Sequence, residues 1–290
     1  MLLNYITWNV DPVAFSIGGL EIRWYGLMFA LSFACTFYLC LWMMKKEKSD
    51  LTIPDTLLFY LAIGTMVGAR LGHCFFYEPT YYLANPLQIF AIRDGGLASH
   101  GAAIGILIAL YFAARKHKTT FWYMTDRVVI FVAFTGILVR LGNLFNSEIY
   151  GHATTLPWGF IFVNNGEVLP KHPTQLYEAL SYLAIFAGLL WYYIKQNYKP
   201  EEGILFGSFL ILLFGARFAI ESIKEVQVGF EENMWLNMGQ ILSIPFILAG
   251  VVILWMAIKN KLPNFPKPRT GIVCNAPTQH STGNTPTKKT

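Results

Sequence analysis

The stretch Val128-Val-Ile-Phe-Val-Ala-Phe-Thr-Gly-Ile-Leu-Val-Arg140-Leu-Gly-Asn143-Leu-Phe-Asn146-Ser-Glu148 is apolar for most of its length and then admits an arginine, two asparagines and a glutamate. Its apolar part is long enough for a membrane-spanning helix. An arginine near the middle of such a helix costs about 2.5 to 3.5 kcal/mol on insertion scales, so it faces protein, water or a bound anion rather than lipid tails. Arg140, Asn143 and Ser147 recur at steps of three and four residues and share one helical face, whereas Glu148 falls off that face and is expected just past the helix. The default reading of this stretch is a functional site in a membrane.

The rest of the chain agrees. Of 290 residues 54% are hydrophobic and 13% charged, with a mean hydropathy of +0.44, which excludes an ordinary soluble domain. Apolar runs near Ile22–Met44, Ile53–Tyr77, Leu97–Ala114, Val128–Phe145, Leu176–Ile194, Gly203–Ile223 and Gly239–Ile258 predict an all-α polytopic membrane protein of about seven transmembrane helices. Basic residues follow the first, third, fifth and seventh runs: Lys45, Lys46 and Lys48, then Arg115, Lys116 and Lys118, then Lys195 and Lys199, then Lys259 and Lys261. By the positive-inside rule the N-terminus lies outside and the C-terminus in the cytoplasm. The net charge of +5 therefore reflects topology, and no basic patch suggests nucleic acid.

The predicted organisation is an outer interfacial arm over 1–21, a transmembrane catalytic domain over 22–261 and a disordered cytoplasmic tail over 262–290. Outward loops 78–96 and 148–175 make a small head region. Trp8, Pro12 and Phe15 suit the headgroup boundary, although the arm also reads as a plain lead-in to the first helix. No basic residue precedes Arg23, so no cleavable signal pattern is expected. Cys35, Cys40, Cys74 and Cys274 have no metal-binding or redox spacing and read as free thiols.

Helical spacing sorts the remaining polar residues. Arg217 and Glu221 stand at i,i+4 and either bridge each other or both point into the bundle. Arg140 has Glu148 as a candidate partner, and Arg70 has Glu78. Two arginines on two helices offer an anion site, since guanidinium forks match phosphate oxygens and stay charged; the alternative is that Arg217 with Glu221 and Arg140 with Glu148 are neutralised pairs acting as interhelical glue. His100 sits among Ser99, Gly101, Ala102 and Gly105, where small residues allow close approach of another backbone or a substrate. It is either a helix-packing donor or a base for a weak acid such as a thiol. His73 reads as structural, and His172 with Tyr177 as anchors at the outer surface.

The motifs Ile22-Arg-Trp-Tyr-Gly-Leu27, Gly68-Ala-Arg-Leu-Gly72, Gly95-Gly-Leu-Ala-Ser-His-Gly101, Arg140 to Glu148, Leu156-Pro-Trp-Gly159, His172-Pro-Thr-Gln-Leu-Tyr-Glu178, Gly215-Ala-Arg-Phe218 with Glu221, and Gly239-Gln-Ile-Leu-Ser-Ile-Pro245 resemble the prolipoprotein diacylglyceryl transferases. Ser99 and the Gly101-Ala102 pair depart slightly from that family's pattern. The resemblance implies a bacterial inner-membrane enzyme with its active site toward the outer face. Such an enzyme moves the diacylglyceryl group of phosphatidylglycerol to the lipobox cysteine of a signal-peptide-bearing prolipoprotein, forming a thioether and releasing glycerol phosphate. In that reading His100, Arg140 and Arg217 are catalytic, and Tyr25, Asn143, Asn146, Glu148 and Glu221 bind substrate. No metal or organic cofactor is called for. An anionic-phospholipid carrier or flippase is the alternative from another class. An intramembrane hydrolase is disfavoured because neither a GxSxG nor an HExxH motif occurs.

Overall fold

The computed structural model describes residues 5–90, 98–225 and 235–263. Its helices are α1 (Trp24–Glu47), α2 (Ile53–Phe76), the short α3 (Pro79–Ala84), α4 (Ser99–Lys116), α5 (Phe121–Phe145), α6 (Thr174–Lys195), α7 (Ile204–Glu221) and α8 (Met238–Ile258). Each of the seven apolar runs thus corresponds to a long helix. Among the described residues six of them are long and apolar enough to cross a membrane. α4 falls short because its eighteen residues open with Ser99 and His100 and close with Arg115 and Lys116. Large apolar side chains such as Phe29, Phe59, Phe112, Trp191, Leu248 and Trp255 are exposed around the bundle, as expected of helices whose solvent is lipid.

α5 begins seven residues before the predicted Val128, and the reason is local pairing. Thr120 caps its first turn by accepting from Tyr123 N at 3.0 Å. Asp126 then accepts from Gly203 N at 2.7 Å and Phe206 N at 2.8 Å, capping α7 across the bundle. Arg127 donates from Nε to Glu47 Oε1 at 3.0 Å, and Glu47 also accepts from Tyr123 at 2.6 Å and Tyr193 at 2.5 Å. Hydropathy treats Asp126 and Arg127 as the edge of a span. Buried and partnered, they are its first two turns.

α2 and α4 cross antiparallel along a seam of small residues. A Cβ on Gly68 would lie 2.3 Å from Gly101 O, and one on Gly105 would lie 2.0 Å from Gly64 O. The close approach expected around His100 is therefore made by the backbone of α2. Arg70, buried on α2, donates to Ile89 O at 2.9 Å and Gln88 O at 2.6 Å and lies over the Tyr82 ring. It holds the segment after α3.

Opposite the basic helix ends sits a small head. Strand β1 (Ile6–Trp8) pairs in parallel with β4 (Phe160–Phe162), and β2 (Val13–Ile17) with β3 (Leu20–Arg23) forms a hairpin that turns at Gly18–Gly19. Trp8 Nε1 donates to Leu144 O at 3.0 Å, tying the N-terminal strand to the end of α5. Gly151 and Lys224 form an antiparallel bridge that joins the segment after α7 to the same head. The Gly95-Gly96 half of the His100 motif, Arg93, Cys274 and the expected tail from residue 264 onward lie outside the described residues.

Candidate active site

Arg140 and Asn143 share the face predicted on α5, whereas Ser147, expected on the same face, lies beyond the helix end at Phe145 with a left-handed backbone; α6 supplies the counterpart of that face. Tyr182 lies against Gly136, where a Cβ would meet its Cδ2 at 2.5 Å. One turn further along both helices Glu178 meets Arg140, with Arg140 Nε 2.9 Å from Glu178 Oε2. Arg140 Nη1 donates to Asn143 Oδ1 at 3.2 Å, and Asn143 Nδ2 donates to Glu148 Oε1 at 2.7 Å. Asn146 Nδ2 reaches the same oxygen at 3.4 Å. Arg140 is thus paired with Glu178 and linked to Glu148 only through an amide. The candidate Arg140–Glu148 ion pair is replaced because α6 brings a carboxylate closer.

Glu148 owes its place to a tight exit from α5. Ser147 and Ile149 adopt φ of 53° and 60°, a left-handed backbone that is costly for a β-branched residue. Two buried side chains hold that turn, Gln175 donating to Glu148 O at 2.6 Å and Thr174 to Ile149 O at 2.7 Å. Locally strained backbone so tightly held marks a position where geometry matters.

From Glu178 the polar chain continues to α7. Lys224 Nζ donates to Glu178 Oε1 at 2.9 Å and to Glu221 Oε2 at 3.3 Å. Glu221 Oε2 lies 4.0 Å from Arg217 Nε, so the predicted i,i+4 pair is loose. Gly239 on α8 makes room for the Glu221 carboxylate, since a Cβ there would lie 2.3 Å from its Cδ. Side-chain exposure is lowest at Glu178, 1%, and rises toward both ends of the chain, to 15% at Arg140 and 37% at Arg217. Three cations, Arg140, Arg217 and Lys224, share two carboxylates, Glu178 and Glu221, and Glu148 is held by amides. The arrangement suits an anion that docks beside Arg217 and Arg140.

The other predicted residues divide. Tyr25, half-buried, packs on Gly142, next to Asn143, where a Cβ would lie 2.8 Å from its ring. His100 is exposed on the first turn of α4 and hydrogen-bonds to no other described residue. His172 Nδ1 lies 3.2 Å from Tyr177 Oη, which itself accepts from Trp158 Nε1 at 2.9 Å. Burial and the neighbouring His152 hold His172 below the usual imidazole range. Glu178, Lys224 and Tyr182 were not singled out from sequence as site residues, although Arg217, Glu221 and Lys224 follow a 4,3 spacing that places them on one face. A groove of about 580 Å³ between α2 and α4, lined by Phe59, Ile63, Phe75, Ile104 and Phe112 among others, contains no charged side chain and none of the cluster.

Comparison with known proteins bears on what this cluster serves. Residues 12–256 match the family described as prolipoprotein diacylglyceryl transferase. A protein of Porphyromonas gingivalis named phosphatidylglycerol–prolipoprotein diacylglyceryl transferase is 47% identical, with the match covering 89% of this chain and 96% of the relative. Proteins of the same name from Chloroherpeton thalassium and Tolumonas auensis are 44% and 45% identical, each over 88% of this chain and over 96% and 98% of their own lengths.

Proposed function

Because the chain belongs to the prolipoprotein diacylglyceryl transferase family, we propose that the charged cluster between α5, α6 and α7 is where phosphatidylglycerol gives up its diacylglyceryl group to a prolipoprotein cysteine. The enzyme is a phosphatidylglycerol–prolipoprotein diacylglyceryl transferase acting within the bilayer. The observation that supports the assignment of this site is the unbroken run of contacts from Asn143 and Arg140 through Glu178 and Lys224 to Glu221 and Arg217.

The reaction forms a carbon–sulfur bond. The thiolate attacks the terminal glyceryl carbon, the carbon–oxygen bond to phosphate breaks, and the thiol proton leaves to a base. Glycerol phosphate departs with more negative charge than it carried in the lipid. Fixed guanidinium groups therefore stabilise the transition state more than the substrate. Arg140 and Arg217 take this part. A thiol of pKa near 8.5 is only a few per cent thiolate at neutral pH, so a base or a cationic field is needed. His100, exposed on the first turn of α4, is assigned as that base. Asn143, Asn146 and Glu148 hold the hydroxyls of the lipid headgroup, and Tyr25 and Glu221 line the same space. The protein is assigned to the bacterial cytoplasmic membrane with the head outward, because the basic ends of α1, α4 and α6 are all opposite the cluster. In this reading 1–21 serves the outer interface, 22–261 is catalytic and 262–290 is a cytoplasmic tail.

The test is mass spectrometry of a lipobox peptide incubated with purified protein and phosphatidylglycerol, with released glycerol phosphate assayed in parallel. A diacylglyceryl increment on the cysteine, lost with a Cys→Ser peptide, is the expected result. Neither adduct nor glycerol phosphate from folded protein refutes the reading.

A further inference from the structure

Lys224 lies three residues beyond the end of α7 and is 6% exposed, yet its ammonium reaches two carboxylates on two helices. Its backbone is tied to the head. It is bridged to Gly151, and a Cβ on Gly151 would lie 2.3 Å from Ile223 O, so the head and the end of α7 meet backbone to backbone. His152 N also donates to Ile223 O at 3.0 Å. Glu178 divides its two oxygens, Oε2 at 2.9 Å from Arg140 and Oε1 at 2.9 Å from Lys224. A carboxylate shared between two cations neutralises each only in part. The same holds for Glu221, shared between Lys224 at 3.3 Å and Arg217 at 4.0 Å.

We infer that Lys224 is a positioning residue of the transfer site, drawing Glu178 and Glu221 toward itself so that Arg140 and Arg217 keep donors for a phosphate. This rests on the transferase reading above. With Lys224 the five charged groups from Arg140 to Arg217 sum to one positive charge; without it they sum to zero. Each carboxylate then turns wholly to its arginine, and the lipid phosphate must displace it. Lys224 touches no reacting atom in this scheme and acts through the two glutamates.

The experiment is steady-state transfer in mixed micelles, with phosphatidylglycerol varied at fixed lipobox peptide, for the wild type, Lys224→Met, Lys224→Arg and the double variant Lys224→Met/Glu178→Gln. For Lys224→Met the KM for phosphatidylglycerol is expected to rise about tenfold or more, with a smaller change in kcat, the signature of weakened lipid binding. Lys224→Arg keeps the charge and is expected to stay within about threefold of wild-type KM. The double variant restores the single positive charge and is expected to recover most of the KM, with a lower kcat because Arg140 has lost its orienting carboxylate. Should Lys224→Met fail to fold, Lys224→Gln keeps a donor without the charge and carries the same expectation. A role confined to holding the fold predicts a lowered melting temperature with unchanged KM, no benefit from the double variant and rescue by Gln, and any of these overturns the inference. A wild-type enzyme that forms no adduct overturns the transferase reading and this inference with it. An active wild type beside a Lys224→Met enzyme of unchanged KM overturns this inference alone.

Discussion

Gly68 of α2 and Gly101 of α4 touch through their backbones, so closely that a Cβ on Gly101 would lie 2.1 Å from Gly68 O. That atom is a main-chain carbonyl, which has no rotamer by which to move aside. Gly101→Val is accordingly expected to force the helices apart and to cost about 1–3 kcal/mol or more, as overpacking does. Thermal melting of the detergent-solubilised variant, followed by intrinsic fluorescence, checks it. A melting temperature equal to wild type would show that the seam yields.

Arg140→Ala is expected to lower transfer about 100-fold or more, the usual loss when a donor to developing charge is removed. The fold is expected to persist, because Glu178 keeps Lys224 at 2.9 Å as a partner when Arg140 is gone. Arg140→Lys cannot serve Glu178 and Asn143 together and should recover only a small part of the activity. Turnover and melting temperature measured on the same preparations separate the two effects.

If His100 is the base, His100→Gln loses most activity at neutral pH and regains some as the pH rises toward the thiol value of about 8.5. The pH–rate profile from 6.5 to about 9 is the measurement. A profile of unchanged shape and height would assign thiol activation to the cationic cluster alone.

In the head, burial first and His152 second keep His172 below the usual imidazole range. A group whose folded pKa is depressed contributes stability that is present above its unfolded value of about 6.5 and lost as pH falls through the folded value. The melting temperature is therefore expected to decline on acidification below about 6.5, and less so in His172→Asn. Equal pH dependence in the two proteins would remove His172 as the cause.

Much of this was readable from residues alone, for reasons that differ by position. Arg140 and Asn143 stood out because an apolar run makes any polar residue conspicuous, and helical spacing put them on one face. Glu178 was visible but its partner was not, since no local rule links residues 38 apart on neighbouring helices. Nothing in the sequence marks Lys224 as buried, because the Gly151 bridge that holds it joins residues 73 apart. The small residues after His100 announced a close contact without saying that α2 would make it. The first turns of α5 were missed because hydropathy has no way to credit Asp126 and Arg127 with the partners that bury them.

The Glu47–Arg127 pair at the basic end bears on how the protein is made. The two residues are 80 positions apart, and the tyrosine that completes the network, Tyr193, comes 146 positions after Glu47. Chain synthesis at about 5–20 residues per second separates Glu47 from Arg127 by roughly 4–16 s and from Tyr193 by longer. Over that interval Glu47 lacks both Arg127 and Tyr193, the partners that bury it in the finished protein. The earliest helix therefore reaches its final packing among the last, and a ribosome pausing between α1 and α5 prolongs the period in which Glu47 is open to the wrong partner.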